Sequence, residues 1–154
     1  MKTCYFGRIS AVLILSLLFM TVSALPGIKT ETQSLAVSKY YKVQIKVGKK
    51  SFEAKLKKNK TTEQLVARMP FTVKMNELNG NEKYCYLDQT LPVNAKKPGT
   101  IRAGDLMLYG DDCVVLFYKT FQSSYSYTKI GHISNIRGLE DLLGNGNIKV
   151  LFKP

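Results

Sequence analysis

The sequence LMLYGDDCVVLFY at residues 106–118 is the stretch that best indicates the fold of this chain. Its two ends, residues 106–109 and 113–118, are short runs of mostly apolar side chains, which are typical of β-strands. The Gly110-Asp111-Asp112 segment between them has the composition of a tight hairpin connection. We therefore expect two neighbouring antiparallel strands at this point of the chain.

A second hairpin is predicted near the beginning of the domain. Residues 41–47 and 52–56 each alternate apolar and polar side chains, and Gly48-Lys49-Lys50 lies between them. This alternation is typical of strands that are buried on one face only. The side chains expected to face inward are Val43, Ile45, Val47, Phe52, Ala54 and Leu56.

Further strands and two short helices complete the predicted architecture. Thr61 followed by Gln64 has the pattern of a capping box, so a helix is expected to begin there and to end before Pro70. A second short helix is expected at residues 138–144. The remaining strands are expected at residues 71–75, 84–87, 125–133 and 148–152.

About eight short strands need closure or stacking to protect their edges. We therefore predict a mainly β fold, a closed eight-stranded and mostly antiparallel barrel with two short capping helices. A two-sheet sandwich is the alternative that the same strand count allows.

The first 24 residues have the layout of a secretory signal peptide. Lys2 and Arg8 form a basic start, residues 9–22 are apolar, and Val22-Ser23-Ala24 places small side chains where a signal peptidase reads them. Spanning a membrane takes roughly 20 apolar residues, so a cleaved signal is favoured over a retained N-terminal anchor. We expect cleavage after Ala24, a flexible lead at residues 25–38 and one domain at residues 39–154, in a secreted or periplasmic protein.

The charge of the chain is concentrated near its beginning. All 154 residues together have a formal net charge of +12, and residues 39–60 contain nine lysines and one acidic residue. This basic face is interpreted either as a solvated surface or as a module that binds anionic surfaces such as lipid headgroups. Nucleic acid is not an expected partner of a secreted domain. The lysines assigned to the basic face are Lys42, Lys46, Lys49, Lys50, Lys55 and Lys57.

Four stretches of the sequence resemble one known family. They are GDLMLYG at residues 104–110, VLFY at residues 115–118, SYSYTKIG at residues 124–131, and residues 78–87 from LNGNE to the Tyr-Leu pair. These stretches are similar to the bacterial cyclophilin-like domain proteins, and the resemblance extends over roughly residues 41–153. It implies a closed eight-stranded barrel capped by helices, which agrees with the strand count.

The resemblance does not imply an established activity. Cyclophilins proper isomerise X-Pro bonds, and they do so with an Arg in a Phe-x-Arg-type strand motif and a Trp in the proline pocket. In the matching stretch at residues 71–75 this chain has Lys74 and no Arg, and it has no Trp. We therefore expect a non-catalytic module that binds a small molecule or peptide, with a weak peptidyl-prolyl cis-trans isomerase as the alternative.

Clustered aromatic residues are the candidate ligand-binding site. Stacked aromatic faces with hydroxyl groups suit a peptide or a small organic ligand. The simpler interpretation is that aromatic residues favour strands and fill a small barrel. The candidates are Tyr84, Tyr86, Phe117, Phe121, Tyr125 and Tyr127.

The sequence leaves open whether its two later cysteines pair, and it gives no indication of metal chemistry. Cys85 and Cys113 are expected either to form a disulfide between neighbouring strands or to be small residues of the core. His132 is the only histidine of the chain, so no histidine pair exists for a metal site or a catalytic triad. Neither a metal ion nor a cofactor is expected.

Overall fold

The computed structural model describes residues 38–144 and 146–154. The predicted signal peptide at residues 1–24 lies outside the described residues, and so does the predicted lead at residues 25–38 except for Ser38. Among the described residues, none of the helices has the length and apolar character needed to cross a membrane.

The described residues form ten strands and two helices. The strands are β1 (Tyr40–Val47), β2 (Lys50–Lys57), β3 (Phe71–Leu78), β4 (Glu82–Tyr86), β5 (Gly99–Ile101), β6 (Asp105–Tyr109), β7 (Cys113–Phe117), β8 (Phe121–Ser123), β9 (Thr128–Ile133) and β10 (Ile148–Lys153). The helices are α1 (Lys60–Ala67) and α2 (Leu139–Leu143).

Eight of these strands close into an antiparallel barrel in the order β1-β10-β3-β4-β7-β6-β9-β2. The predicted barrel is thereby confirmed, and the sandwich alternative is wrong. Closure leaves none of these eight strands with an unpaired edge. The two remaining strands, β5 and β8, pair with each other outside the barrel.

The predicted first hairpin is formed by β1 and β2. Their register runs from Tyr40 opposite Lys57 to Val47 opposite Lys50, and Gly48 turns the chain with a φ of 56° that glycine adopts at low cost. All six side chains predicted to face inward are at most 6% exposed. The alternation in the sequence therefore fixes which face of this hairpin packs into the barrel.

The structure corrects the start of the first helix. Asn59 caps α1, since its side-chain oxygen accepts from the Thr62 backbone N–H at 2.9 Å while Thr62 Oγ1 accepts from the Asn59 N–H at 3.1 Å. The predicted cap, Thr61, lies inside the first turn, where its hydroxyl donates to the Pro92 oxygen at 2.6 Å. Asn at this position is among the best N-caps, so Asn59 was the stronger signal.

The structure also shortens the predicted strand at residues 125–133. The strand β9 begins at Thr128, and Tyr125 and Tyr127 precede it. Tyr127 forms two backbone hydrogen bonds with Lys96, of 2.9 and 3.0 Å, instead of pairing with a barrel strand. This local pairing moves the aromatic end of the segment out of the barrel sheet.

The two cysteines are on opposite faces of the β4–β7 pair. Cys85 lies opposite Val114, whereas Cys113 lies opposite Tyr86. Because successive strand residues point to opposite faces, Cys85 belongs to the barrel core and Cys113 to a cluster outside it. Both thiols are free and buried. Burial is the main cause that raises the pKa of Cys85 to about 12 and that of Cys113 to about 11. The buried-thiol alternative is therefore the observed one, and the disulfide is not formed.

Lys83 of β4 and Glu77 of β3 form an ion pair near the turn that joins these strands. Lys83 is fully buried and donates to the Glu77 carboxylate and to the Gly146 oxygen, the latter at 2.6 Å. The Tyr118 hydroxyl donates to Glu77 at 2.7 Å. Burial acts to raise the pKa of Glu77, but the hydrogen bonds from Lys83 and Tyr118, with the charge of Lys83, lower it overall.

Removing the charge of Glu77 is expected to destabilise the fold more than removing the charge of Lys83. Glu77→Gln leaves a buried ammonium without its counter-charge, which costs about 3 kcal/mol. Lys83→Met removes the buried ammonium and fits the apolar interior, while Glu77 keeps Tyr118 and access to water. Urea unfolding of both variants measures the difference, and an equal or larger loss for Lys83→Met would contradict this account.

Candidate functional site

Strand β7 is buried on both faces, because a second cluster of hydrophobic side chains packs against its outer face. All five residues of β7 are buried. Val114 and Leu116 face the barrel core, whereas Cys113, Val115 and Phe117 belong to the outer cluster. The cluster is completed by Ile101, Met107 and Tyr127, with Tyr84 and Phe121 packed against it.

The outer cluster is covered by the β5–β8 sheet and by the segment that follows β8. Ile101 lies opposite Phe121 in this small sheet. The Phe117 ring lies 5.7 Å from the Phe121 ring and 5.6 Å from the Tyr127 ring, in tilted and edge-on arrangements that aromatic pairs favour. We call residues 121–127 the covering segment. It is fixed to β7 by aromatic contacts and not by strand pairing with the barrel.

A groove of about 430 Å³ remains between β4 and the covering segment. Tyr84 and Tyr86 lie along the β4 side, with their rings 5.9 Å apart. On the other side, the Tyr109 ring contacts those of Tyr125 and Tyr127 at 6.2 and 5.6 Å. We call this feature the aromatic groove, which is lined by Tyr84, Tyr86, Tyr109, Phe121, Tyr125 and Tyr127, with Cys113 and Val115 as further lining residues.

Five of the six predicted candidates line the aromatic groove. They are Tyr84, Tyr86, Phe121, Tyr125 and Tyr127, whereas Phe117 lies beneath the covering segment and supports Phe121 and Tyr127. Tyr109 was not predicted, although its position at the end of the best-defined hairpin places it beside Cys113 of β7. The simpler interpretation, that these aromatic residues fill the barrel, does not hold for them.

The polar lining of the aromatic groove was not predicted either. Glu82 lies opposite Phe117 and Leu78 on the outer face of the sheet, and it is 8% exposed. Burial raises the pKa of the Glu82 carboxyl, and the nearby charge of Glu77 raises it further. The adjacent Asn81 has a buried side-chain oxygen with no hydrogen-bond partner among the described residues.

No Lys, Arg or His side chain of the described residues lines the aromatic groove. Arg68 lies elsewhere and donates to the backbone oxygens of Gln89 and Thr90 at 3.0 and 2.9 Å. Arg102 lines a different cavity, beside Asp105 and Lys129. Lys74, which occupies the strand where cyclophilins proper have their Arg, is exposed and lies opposite Lys149.

The predicted basic face lies on the opposite side of the barrel. In the closed ring of strands, β1 and β7 are separated by three strands in either direction. Lys42 lies opposite Lys55 on the outer surface of β1 and β2. Six exposed lysines form this face, namely Lys42, Lys46, Lys49, Lys50, Lys55 and Lys57.

His132 and Asp105 form the remaining polar pair of interest. His132 Nδ1 lies 3.0 Å from Asp105 Oδ1, and the other Asp105 oxygen accepts from the Arg102 backbone N–H at 2.9 Å. Asp105 therefore ties β9 to the turn before β6. Within residues 38–144 and 146–154, no group of three acidic, cysteine or histidine side chains is placed to hold a metal ion.

The sequence profile of the cyclophilin-like family matches residues 45–153. The chain belongs to the cyclophilin-like family. The solution structure of the hypothetical protein AF2241 from Archaeoglobus fulgidus is similar to this cyclophilin-like chain, with a TM-score of 0.55 and 17% identity. The match covers 77% of this chain and 97% of that protein, and at this identity it shows the fold alone. No curated protein is significantly similar to this chain.

These comparisons confirm the fold and the family, and they assign neither an activity nor a ligand. The predicted signal peptide, the secreted or periplasmic location and the bacterial origin remain predictions.

The buried carboxyl of Glu82 is expected to lower stability as the pH rises. Because its pKa is raised, the folded chain holds this proton more tightly than the unfolded chain does, so unfolding becomes easier as the carboxyl ionises. Glu82→Gln should therefore stabilise the fold at about pH 7 and have a much smaller effect at about pH 4.

Glu77→Gln is the matched control, because the pKa of Glu77 is lowered and the sign is reversed. Stability from Glu77 is present above its unfolded pKa and is lost as the pH falls. Urea unfolding at both pH values gives the comparison, and a Glu82→Gln variant that is less stable at the higher pH would refute the assigned role.

Proposed function

We propose that this cyclophilin-like chain is a non-catalytic binding module that holds a small organic molecule or a peptide segment in the aromatic groove. The observation that carries the proposal is the position of five tyrosine side chains around one concave surface. A volume of about 430 Å³ is within the range of small-molecule sites, and such sites are lined mainly by aromatic and apolar side chains with a few polar groups.

The exposure of the lining residues supports a site that is open to a ligand. Tyr86 is 66% exposed, Tyr125 is 62% exposed and Tyr109 is 47% exposed. Rings exposed to this extent on one concave surface lose contact with water when a ligand binds, and this is favourable for apolar surface. Their hydroxyl groups supply donors and acceptors for the polar parts of the same ligand.

The weak isomerase alternative has less support from the site. Rotation about an X-Pro bond has a barrier of about 18–20 kcal/mol, and cyclophilins proper lower it with an Arg directed at the amide. None of the described Arg, Lys or His side chains lines the aromatic groove. We therefore propose binding without isomerisation, and a rate above buffer in a proline-peptide assay would favour the alternative.

Substitution of the exposed tyrosines is expected to weaken binding without unfolding the barrel. Tyr125→Ala and Tyr86→Ala each remove ring contacts, which should lower the affinity for a neutral aromatic probe such as 2-phenylethanol about tenfold, or about 1.4 kcal/mol. Chemical shift titration of backbone amides measures the affinity and locates the site.

Tyr40→Ala is the matched control for this experiment. Tyr40 is a tyrosine of similar exposure, 47%, on β1 at the far side of the barrel. The control should bind the probe as the unsubstituted chain does. Equal affinities for Tyr125→Ala, Tyr86→Ala and Tyr40→Ala would remove the aromatic groove as the binding site.

A second candidate function is attachment to an anionic surface through the basic face. The observation that favours it is the cross-strand placement of Lys42 and Lys55, since like charges directly opposite each other destabilise a sheet. A positive patch of this kind attracts anionic lipid, and each lysine near the surface contributes about 1 kcal/mol. The aromatic groove on the opposite side would remain accessible in that orientation.

Charge reversal on the basic face is the test of this candidate. Lys42→Glu with Lys55→Glu should lower binding to phosphatidylserine-containing vesicles by more than tenfold, and binding of the unsubstituted chain should fall as salt increases. Lys97→Glu, in the exposed segment before β5, is the control. Binding that is unchanged at high salt would count against an electrostatic attachment.

A further inference from the structure

The aromatic groove has a charge opposite to that of the chain as a whole. The chain has a formal net charge of +12, but the only charged side chain that lines the aromatic groove in the described structure is Glu82. A carboxylate that is buried without a counter-charge is costly. The raised pKa of Glu82 is consistent with that cost.

No cation of the described residues compensates Glu82 from within the fold. The Glu82 side chain forms no hydrogen bond or ion pair among the described residues, and burial and the charge of Glu77 are the causes that raise its pKa. The adjacent Lys83 points to the other face of β4, where it is committed to Glu77 and Gly146. The lysines of the basic face lie on the far side of the barrel.

Asn81 also lines the aromatic groove next to Glu82, but its side-chain oxygen is shielded from solvent. Its side-chain oxygen is buried and unpartnered, although a buried acceptor normally has a donor. Its backbone oxygen is already used, since it accepts from the N–H groups of Tyr118 and Lys119 at 3.0 and 3.3 Å. Because solvent does not reach the Asn81 side-chain oxygen, Glu82 is the acceptor that a ligand with N–H groups meets at this end of the aromatic groove.

The tyrosine rings around Glu82 favour the same kind of ligand. A cation within about 6 Å of an aromatic face is attracted by the ring, most strongly where water is excluded. Tyr84 is on the same strand face as Glu82, and the charge of Glu82 contributes to the raised pKa of Tyr127, after burial. Glu82 is therefore close to rings on both sides of the aromatic groove.

We propose that the ligand of the aromatic groove is a protonated organic amine, whose N–H groups donate to Glu82 between the tyrosine rings. This inference rests on the proposed binding function and names the chemical class that the site selects. The amine belongs either to a small molecule or to a lysine of a bound peptide, and both sources present the same ammonium group.

The test uses three probes with one skeleton and different charges. They are 2-phenylethylamine, which is protonated at neutral pH, the neutral 2-phenylethanol, and the anion phenylacetate. Titration of the full chain, followed by amide chemical shifts, should give affinities in the order amine, alcohol, anion, with the amine at least tenfold tighter than the alcohol. The amides of residues 81–86 and 121–127 are expected to shift together.

Substitutions then assign the preference to Glu82. Glu82→Gln should lower the affinity for the amine to that for the alcohol, while the affinity for the alcohol stays unchanged. Glu53→Gln, an exposed carboxylate on β2 at the far side of the barrel, should leave all three affinities unchanged. Because the alcohol is measured on the same variants, an unchanged alcohol affinity also shows that Glu82→Gln has folded with its groove intact.

The outcomes separate this inference from the proposed function. Equal affinities for amine and alcohol on the unsubstituted chain would overturn the amine inference and leave the aromatic groove as a binding site. No binding of any probe would overturn both. A further titration with N-acetyl-Phe-Lys amide distinguishes the sources, since tighter binding of this peptide than of 2-phenylethylamine would identify a peptide lysine as the ligand group.

Discussion

Strand β7 must be covered on both of its faces, because all five of its side chains are buried and none is charged. The barrel core covers one face through Val114 and Leu116. The other face needs a second layer, which the short β5–β8 sheet and Tyr127 supply. A strand with this composition in a simple barrel would expose Phe117 and Val115 to water. The aromatic groove exists because the second layer reaches across β7 but leaves a gap before β4.

The barrel was predictable because its signals are local. Alternation in β1 and β2 determines the inward face of each strand, and the short Gly-Asp connection determines the β6–β7 hairpin. Closure was predicted from the count of about eight short strands, in agreement with the family resemblance, and the strand order confirms it. The start of α1 was misplaced by two residues because Asn59 and Thr61 are both residue types that cap helices.

Only part of the candidate site was predictable from the sequence. Some of its residues cluster in the sequence, whereas others are brought to the site by contacts between distant segments. The aromatic residues form a visible cluster in the sequence, so five of the six candidates line the aromatic groove. Glu82 has no such signal, because a single carboxylate in a strand of otherwise ordinary composition is usually exposed. Its place in the aromatic groove involves residues 121–127, some forty residues further along the chain. The cysteines show the same limit, since the disulfide question was decided by a one-residue offset in the register of β4 and β7.

The two sides of the aromatic groove differ in how they are held. Its β4 side belongs to the closed barrel, where every strand has two neighbours. On its other side, Tyr109 belongs to barrel strand β6, whereas Phe121, Tyr125 and Tyr127 are held by the β5–β8 sheet, the Lys96–Tyr127 pair and ring contacts. Separation of the covering segment therefore breaks no hydrogen bond between barrel strands, and such local openings require less free energy than global unfolding. Local opening on this side of the aromatic groove is therefore separate from unfolding of the closed barrel, whose strand pairs hold the fold together.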